Sequence, residues 1–247
     1  MSKLNHMTKL QTPNAILFLD FDGTITCRDA VDAILETYAL PEWLRIEADW
    51  RDGRMGSREC LRAQMSLVRA TRKQLDSLLD EIEIDDGLVA LLEVCAAHEL
   101  PAHIVSDGFD YCIRRILGRA SKRVHALLRG ARVCASRLEA RGHLWRTEFP
   151  FFHQACAHGC ATCKPAVMRL LNHSNAHGIF VGDGLSDQYA VESADTVFAK
   201  GRLATYCGEQ SIEHTPFDNL EDVAAHLDRW LVSRVFTEEE VEERASA

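Results

Sequence analysis

An α/β fold is predicted, a doubly wound and mainly parallel sheet with a small helical block inserted after the first strand. Three observations lead to it. Short apolar runs ending in acid or serine plus glycine recur at residues 15–23, 101–108 and 178–184, each with the length and flanking turn of a buried strand. Helical spacing fills most of the chain between them, the alternation that gives parallel strands with helices on both faces. Residues 29–83, by contrast, carry helical patterns and no convincing strand.

In chain order, "AILFLDFDGT" is a strand running into a glycine turn. Four short helices follow: "DAVDAILETYAL", then "PEWLRIEADW" with Pro41 at its start, then "SRECLRAQMSLV", then "TRKQLDSLLDEI". The last opens with Thr71 and carries Gln74 three places on, a capping-box signature. The α/β rhythm resumes with the helix "GLVALLEVCAAHE" and the strand "PAHIVSDG". "DYCIRRILGRA" and "SKRVHALL" read as helices, and residues 131–149 as a strand and hairpin turning near Arg141 and Gly142. After a cysteine-rich loop come the helix "PAVMRLLNHSNA", the strand "GIFVGDG", the helix "SDQYAVESA", the short strand "DTVFAK" and a helix over residues 219–235. The expected division is a core of residues 1–26 and 85–235, the inserted block 27–84, and a tail 236–247 that continues as a solvated, fraying helix.

Composition narrows the function. The chain has 247 residues, 47% hydrophobic and 26% charged, enough for one core with an inserted subdomain and too apolar for general disorder. Its formal net charge is −9 and no basic cluster is interleaved with aromatics, so a nucleic-acid partner is not expected. No apolar run reaches the roughly 18 to 20 residues that span a bilayer, and "MSKLNHMTKLQTPN" has no apolar leader core. Nine cysteines, an odd number scattered through helical patterns, suit free thiols in the cytoplasm.

In a doubly wound sheet, ligands bind beyond the carboxyl ends of the strands. Asp20, Asp22, Ser106, Asp107 and Asp183 all sit at predicted strand ends and should converge on one rim. Gathered carboxylates repel one another unless a cation sits among them, and a hard cation such as Mg²⁺ takes oxygen ligands and favours phosphate-bearing substrates. Ser106 can donate to an oxyanion, Lys164 brings local positive charge, and Gly23, Gly108 and Gly184 let backbone approach a ligand. Metal, cation, amide groups and a nucleophile together describe phosphoryl transfer. Two aspartates on one turn can divide the work: one attacks phosphorus and the other serves the leaving oxygen.

"DFDGT", "SDG", Lys164 and "GDGLSD" stand in the order of the four motifs of the haloacid-dehalogenase-like hydrolases, which the chain resembles over residues 15–200. The helical block resembles the small cap of the phosphoserine phosphatase branch. The resemblance implies a Rossmann-like core and a Mg²⁺-dependent phosphatase acting on a small phosphorylated metabolite. It makes Asp20 the nucleophile that becomes an aspartyl-phosphate, and Asp22 the acid and base. Thr24, Ser106, Asp107 and Gly108 would meet the phosphoryl group, with Lys164 neutralising charge beside Asp20. Asp20, the Asp22 carbonyl and Asp183 would hold Mg²⁺, supported by Asp187. Ser186 departs from the branch, which commonly has Asn there. A phosphotransferase using the same intermediate, or a non-catalytic phosphate-binding module, would share these motifs.

The segments "LPEWLRIEADWRDGRMGSRECLRAQ", "RLEARGHLWRTEFPF" and "CAHGCATCKP" further resemble the methionine-salvage phosphatases acting on hydroxyketo-methylthiopentenyl phosphate. Within the last, Cys156, Cys160 and Cys163 with His158 or His153 have zinc-like spacing, or are a loop of reduced thiols beside the site. In the block, Arg58 and Glu59 are candidates for recognising the organic part of the substrate.

Overall fold

The structure, a computed structural model, describes residues 14–245, with side chains through residue 233. Seven strands form one sheet: β1 (Ala15–Leu19), β2 (Ala102–Phe109), β3 (Val133–Arg141), β4 (Leu144–Glu148), β5 (His177–Gly182), β6 (Thr196–Ala199) and β7 (Thr215–Pro216). Their order is β4-β3-β2-β1-β5-β6-β7, and every neighbouring pair is parallel except the β3–β4 hairpin. The chain winds outward from β1 through β2 and β3, then returns to β1's other side with β5. That reversal places a topological switch point between β1 and β5, where such sheets open a crevice at the strand C-termini.

The period-2 alternation of β1 assigns the two faces. Leu17 and Leu19 pack on one side with Ile104, Ile179 and Val181 under α5 (Leu88–Ala97), α6 (Asp110–Leu117) and α11 (Leu220–Ala245). Ile16 and Phe18 pack on the other with Val105, Phe180 and Val197, near α8 (Lys164–Leu171) and α10 (Gly201–Glu209). Phe18 and Phe180 are fully buried in neighbouring strands.

Between β1 and α5 lie α1 (Ala30–Tyr38), α2 (Trp43–Arg51), α3 (Ser57–Leu67) and α4 (Arg72–Leu79). Asp29 caps α1 by accepting from the Asp32 N–H, and Thr71 with Gln74 forms the capping box of α4 expected from their spacing. The apolar face of these helices, including Ile34, Leu35, Met65, Leu75 and Leu79, belongs to the same cluster as Leu17 and Leu19. The two chain passages into this insert are stitched together: Thr26 bridges Ile84, the Cys27 N–H donates to the Glu83 carbonyl (3.0 Å) and the Asp85 N–H to the Ile25 carbonyl (2.9 Å). On the far side the hairpin leans on the insert, where the Trp145 indole donates to the Ala70 carbonyl at 2.9 Å.

Some elements differ from expectation. β2 continues through Ser106–Gly108 with a register irregularity between Val105 and Phe109 instead of ending in a turn. "SDQYAVESA" is a 3₁₀ turn at Leu185–Asp187 followed by one short helix, α9 (Gln188–Val191). The helix α10 and the two-residue strand β7 were not anticipated: "GRLATYCGE" has two glycines and little apolar periodicity, and Pro216 argues against strand. Helix α11 carries on through the expected tail to Ala245. The segment read as lacking a leader lies mostly outside the described residues. Among the described residues no helix is long and apolar enough to cross a membrane.

Phe18 supports the second core face from the central strand. Phe18→Ala should lower unfolding stability by about 3–5 kcal/mol, read as a lower urea midpoint with an unchanged slope; a change under about 1 kcal/mol would mean that this face is not closely packed.

Candidate active site

Five residues from four separate segments meet at the switch point. Asp20 follows β1, its N–H donating to the Val181 carbonyl at 2.9 Å. Asp183 follows β5, Asp187 ends the 3₁₀ turn, Lys164 opens α8 and Ser106 lies in the irregular stretch of β2. Lys164 is the centre of the group. Its ammonium, 1% exposed, donates to Asp20 Oδ1 at 2.6 Å and to Asp187 Oδ1. Burial pulls the Lys164 pKa down, but Asp187, Asp20 and Asp107 outweigh it and the net shift is upward. Among the described residues, the buried charged side chains are Asp20, Glu47, Asp85, Asp107, Asp187 and one cation, Lys164.

The carboxylates have different duties. Asp187 is fully enclosed: Lys164 takes Oδ1, while the Asp183 and Gly184 N–H groups donate to Oδ2 at 3.1 and 3.0 Å. Asp183 accepts from the Thr24 hydroxyl at 2.8 Å, and burial pushes its pKa up to about 6. Asp20 is also raised, by burial and then by the charge of Asp187. Its Oδ1 is held by Lys164, whereas Oδ2 takes no hydrogen bond from the described residues. Asp22 Oδ1 accepts from the Ala30 N–H at 2.9 Å, and Ser106 Oγ lies 3.5 Å from Oδ2; burial lifts the Asp22 pKa to about 6.

Such close packing needs missing side chains. At Gly23, with φ of 75°, a Cβ would stand 2.3 Å from Asp183 Oδ2; at Gly108 it would stand 2.1 Å from Asp22 Oδ2. The glycines next to the motif acids make room for other motif acids.

Ligand atoms of Asp20, Asp183 and Asp187 come within 4.8 Å of one another, a set of hard oxygens that suits Mg²⁺. The Asp22 carbonyl accepts no hydrogen bond from the described residues, leaving another oxygen for the cation. Asp187 is already saturated with donors, so it sits behind the set. Cys156, Cys160 and Cys163 give zinc no support. Asp20, Asp183 and Asp187 are the group that converges among the described residues. His158 is stacked on Tyr189 with ring centroids 3.7 Å apart, and burial raises the Cys160 and Cys163 thiols, keeping them protonated. All nine cysteines are free, with Cys156 Sγ 3.5 Å from Cys160 Sγ.

Above Asp20 lies a cavity of about 390 Å³, within the range of small-molecule sites. Asp20, Asp22, Ser106, Asp107, Gly108 and Asp183 line its core end. Thr24 does not; it is fully buried with its hydroxyl on Asp183. Asp107 ties three segments together, accepting from Ser57 Oγ at 2.5 Å and the Thr162 N–H at 2.8 Å, while the Ala161 N–H donates to Ser57 Oγ at 2.9 Å. The insert end is lined by Asp29, Asp32, Glu47, Trp50, Arg51, Ser57, Cys60 and Gln64 among others. Arg58 and Glu59 are elsewhere: the Arg58 guanidinium lies over the Phe152 ring, and Glu59 borders a neighbouring polar cavity. Ser57, Cys60, Leu61 and Gln64 repeat at helical spacing, which was the available signal for the inward face of α3.

Known proteins similar in sequence or in fold place the chain in a family. A 2-hydroxy-3-keto-5-methylthiopentenyl-1-phosphate phosphatase from Geobacillus thermodenitrificans is 29% identical over 217 residues, covering 87% of this chain and 96% of that protein. The protein of the same description from Geobacillus kaustophilus is 28% identical over 221 residues, covering 88% and 97%. The fold is shared with a phosphoserine phosphatase solved as a phospho-aspartyl intermediate analogue, at a TM-score of 0.65 and 17% identity, over 87% of this chain and 99% of that one. The family model of the haloacid dehalogenase-like hydrolases matches residues 17–192. With the four motifs brought to one rim over most of that span, the chain belongs to the haloacid dehalogenase-like hydrolase family.

Proposed function

We propose that the chain hydrolyses a small phosphomonoester through a phospho-Asp20 intermediate, with residues 27–84 as a cap over the leaving group. The observation that carries this is the unequal treatment of the two carboxylates of "DFDGT". Lys164 fixes one oxygen of Asp20, which lines the cavity, and Oδ2 takes no hydrogen bond from the described residues, as a nucleophile requires. Burial holds Asp22 near neutrality, where it can give and take a proton.

Asp20 Oδ2 attacks phosphorus, the bond from phosphorus to the alcohol oxygen breaks, and Asp22 gives that oxygen its proton. Asp22 then takes a proton from water as the water oxygen attacks the phosphoryl group. Phosphate leaves and Asp20 is restored. Lys164 holds Asp20 in line throughout, and the Ser106 hydroxyl faces the same end of the cavity. Asp20, Asp183 and the Asp22 carbonyl would hold Mg²⁺, with Asp187 fixing Lys164 and the Asp183 backbone behind them. When bound, Mg²⁺ supplies positive charge to phosphate oxygens among these acids.

A cavity of this size suits a metabolite, and the names of the relatives support an ester of the hydroxy-keto-methylthiopentenyl kind. The free thiols support a cytoplasmic setting.

Asp20→Asn should reduce p-nitrophenyl phosphate turnover in Mg²⁺ by at least about a thousandfold; steady-state rates near wild type would refute the nucleophile. Asp22→Asn should slow turnover by about 10² to 10⁴. Because p-nitrophenolate departs without a proton, the loss should fall on the water step, so that intact mass shows phosphorylated protein accumulating. An unphosphorylated, slow variant would take the proton role from Asp22.

Burial raises Asp20, Asp22 and Asp183, the last two to about 6. Between about pH 4 and pH 6 the folded chain therefore holds more protons than the unfolded one, and these groups subtract stability as pH rises through that window. A cation among them offsets the effect, so Mg²⁺ should raise the thermal midpoint more at about pH 8 than at about pH 5. Equal shifts by thermal denaturation would mean that the cation does not bind at these acids.

A further inference from the structure

The insert end of the cavity has a polar constellation that phosphoryl chemistry does not use. Glu47 on α2 is buried and accepts twice: from Arg51 Nε at Oε1 (2.6 Å) and from Gln64 Nε2 at Oε2 (3.0 Å). A carboxylate engaged by Arg51 only accepts, so Gln64 must turn its NH₂ toward Glu47 and its carbonyl away. Gln64 is 2% exposed, it lines the cavity, and its Oε1 accepts no hydrogen bond from the described residues. The oxygen is not sealed off: among the described residues the buried side-chain polar atom without a partner is Thr162 Oγ1, so Gln64 Oε1 opens to the cavity, where a ligand can donate to it. Asp32 lines the same cavity, and its carboxylate likewise accepts no hydrogen bond from the described residues.

Charged groups at this end are matched only in part. Asp29 accepts from the Asp32 N–H as the cap of α1. Arg51 is bound through Nε to Glu47, Arg202 lines the cavity with no ion pair among the described residues, and the charges of both act on Asp32. Beside these cations, two acceptors have no hydrogen bond from the described residues, Gln64 Oε1 and the Asp32 carboxylate.

We propose that Gln64, oriented by Glu47, reads the alcohol half of the substrate: its carbonyl and the Asp32 carboxylate accept hydrogen bonds from hydroxyl groups of the leaving alcohol. This rests on the phosphomonoesterase reading and adds to it the residues that select hydroxylated over plain alkyl phosphates. A site built to accept from a hydroxyl discriminates strongly against the analogue lacking it, because its buried acceptors are then desolvated without a donor.

The test uses n-alkyl phosphates of three to five carbons, each compared with its hydroxylated analogue. The reading is the ratio of kcat/KM values, which is independent of the fraction of active protein. For wild type, at least one hydroxylated ester should exceed its plain analogue by about tenfold or more. In Gln64→Met the hydroxyl preference should fall toward one. Should that variant fail to fold, Asp32→Ala and Glu47→Gln carry the same measurement, the second by releasing the amide to rotate. A wild-type ratio near one, or a ratio that survives in the variants that fold, overturns the proposal. If p-nitrophenyl phosphate is turned over while the series is flat, only this proposal fails. If no phosphate ester is turned over, the phosphomonoesterase reading itself fails.

Discussion

A lysine ammonium with almost no solvent access, set between two aspartates, is the interaction on which the site depends. An isolated ammonium at that depth would lose its proton. Asp20 and Asp187 keep it charged, and Lys164 in turn lets two buried carboxylates stand close together. Buried ion pairs of this kind are weak evidence for stability, because desolvation offsets much of the attraction. Their value here is positional. Lys164 starts α8, Asp20 ends β1 and Asp187 ends the turn after β5, so one nitrogen fixes three elements across the switch point.

Backbone shape and charge are matched around this centre. The positive-φ turn at Gly23 and the irregular strand at Gly108 bring acids nearer than a Cβ would permit. The turn after β1 is wound on the Phe21 carbonyl, which accepts from the N–H groups of Thr24, Ile25 and Thr26. The Asp22 carbonyl accepts no hydrogen bond from the described residues. The pattern acid-x-acid-Gly-Thr is therefore a set of steric and hydrogen-bonding demands, with Thr24 contributing through Asp183 rather than through the ligand.

Sequence alone made the core end of the site legible because its signals are local. Apolar runs mark the buried strands, and acids with glycine mark their carboxyl ends, so Asp20, Asp22, Ser106, Lys164 and Asp183 could be named and their meeting anticipated. The insert end left one weak signal, the helical repeat of Ser57, Cys60, Leu61 and Gln64. Its inward-facing residues Ser57, Glu47 and Gln64 are polar groups on the packed faces of helices, and hydrophobic periodicity is blind to them. Arg58 and Glu59 stood out by charge, but neighbouring positions on a helix point different ways, and theirs is not the way of Gln64. Asp107 was read as a phosphate contact from its motif; only the assembled fold shows it joining Ser57 to the cysteine-rich loop.

Besides the shared apolar core, the Trp145–Ala70 bond and the Arg115–Asp80 ion pair, the insert meets the rest of the chain at two further places. At one, the Thr26–Ile84 bridge sews its entering and leaving chains side by side. At the other, Ser57 meets Asp107 and Ala161, the Arg58 N–H donates to the Gly159 carbonyl at 3.1 Å, and Gly56 lies so near Gly159 that a methyl group would strike its carbonyl oxygen. Asp107 lines the cavity and takes its hydrogen bond from Ser57, so whatever displaces that hydroxyl also loosens a wall of the chamber.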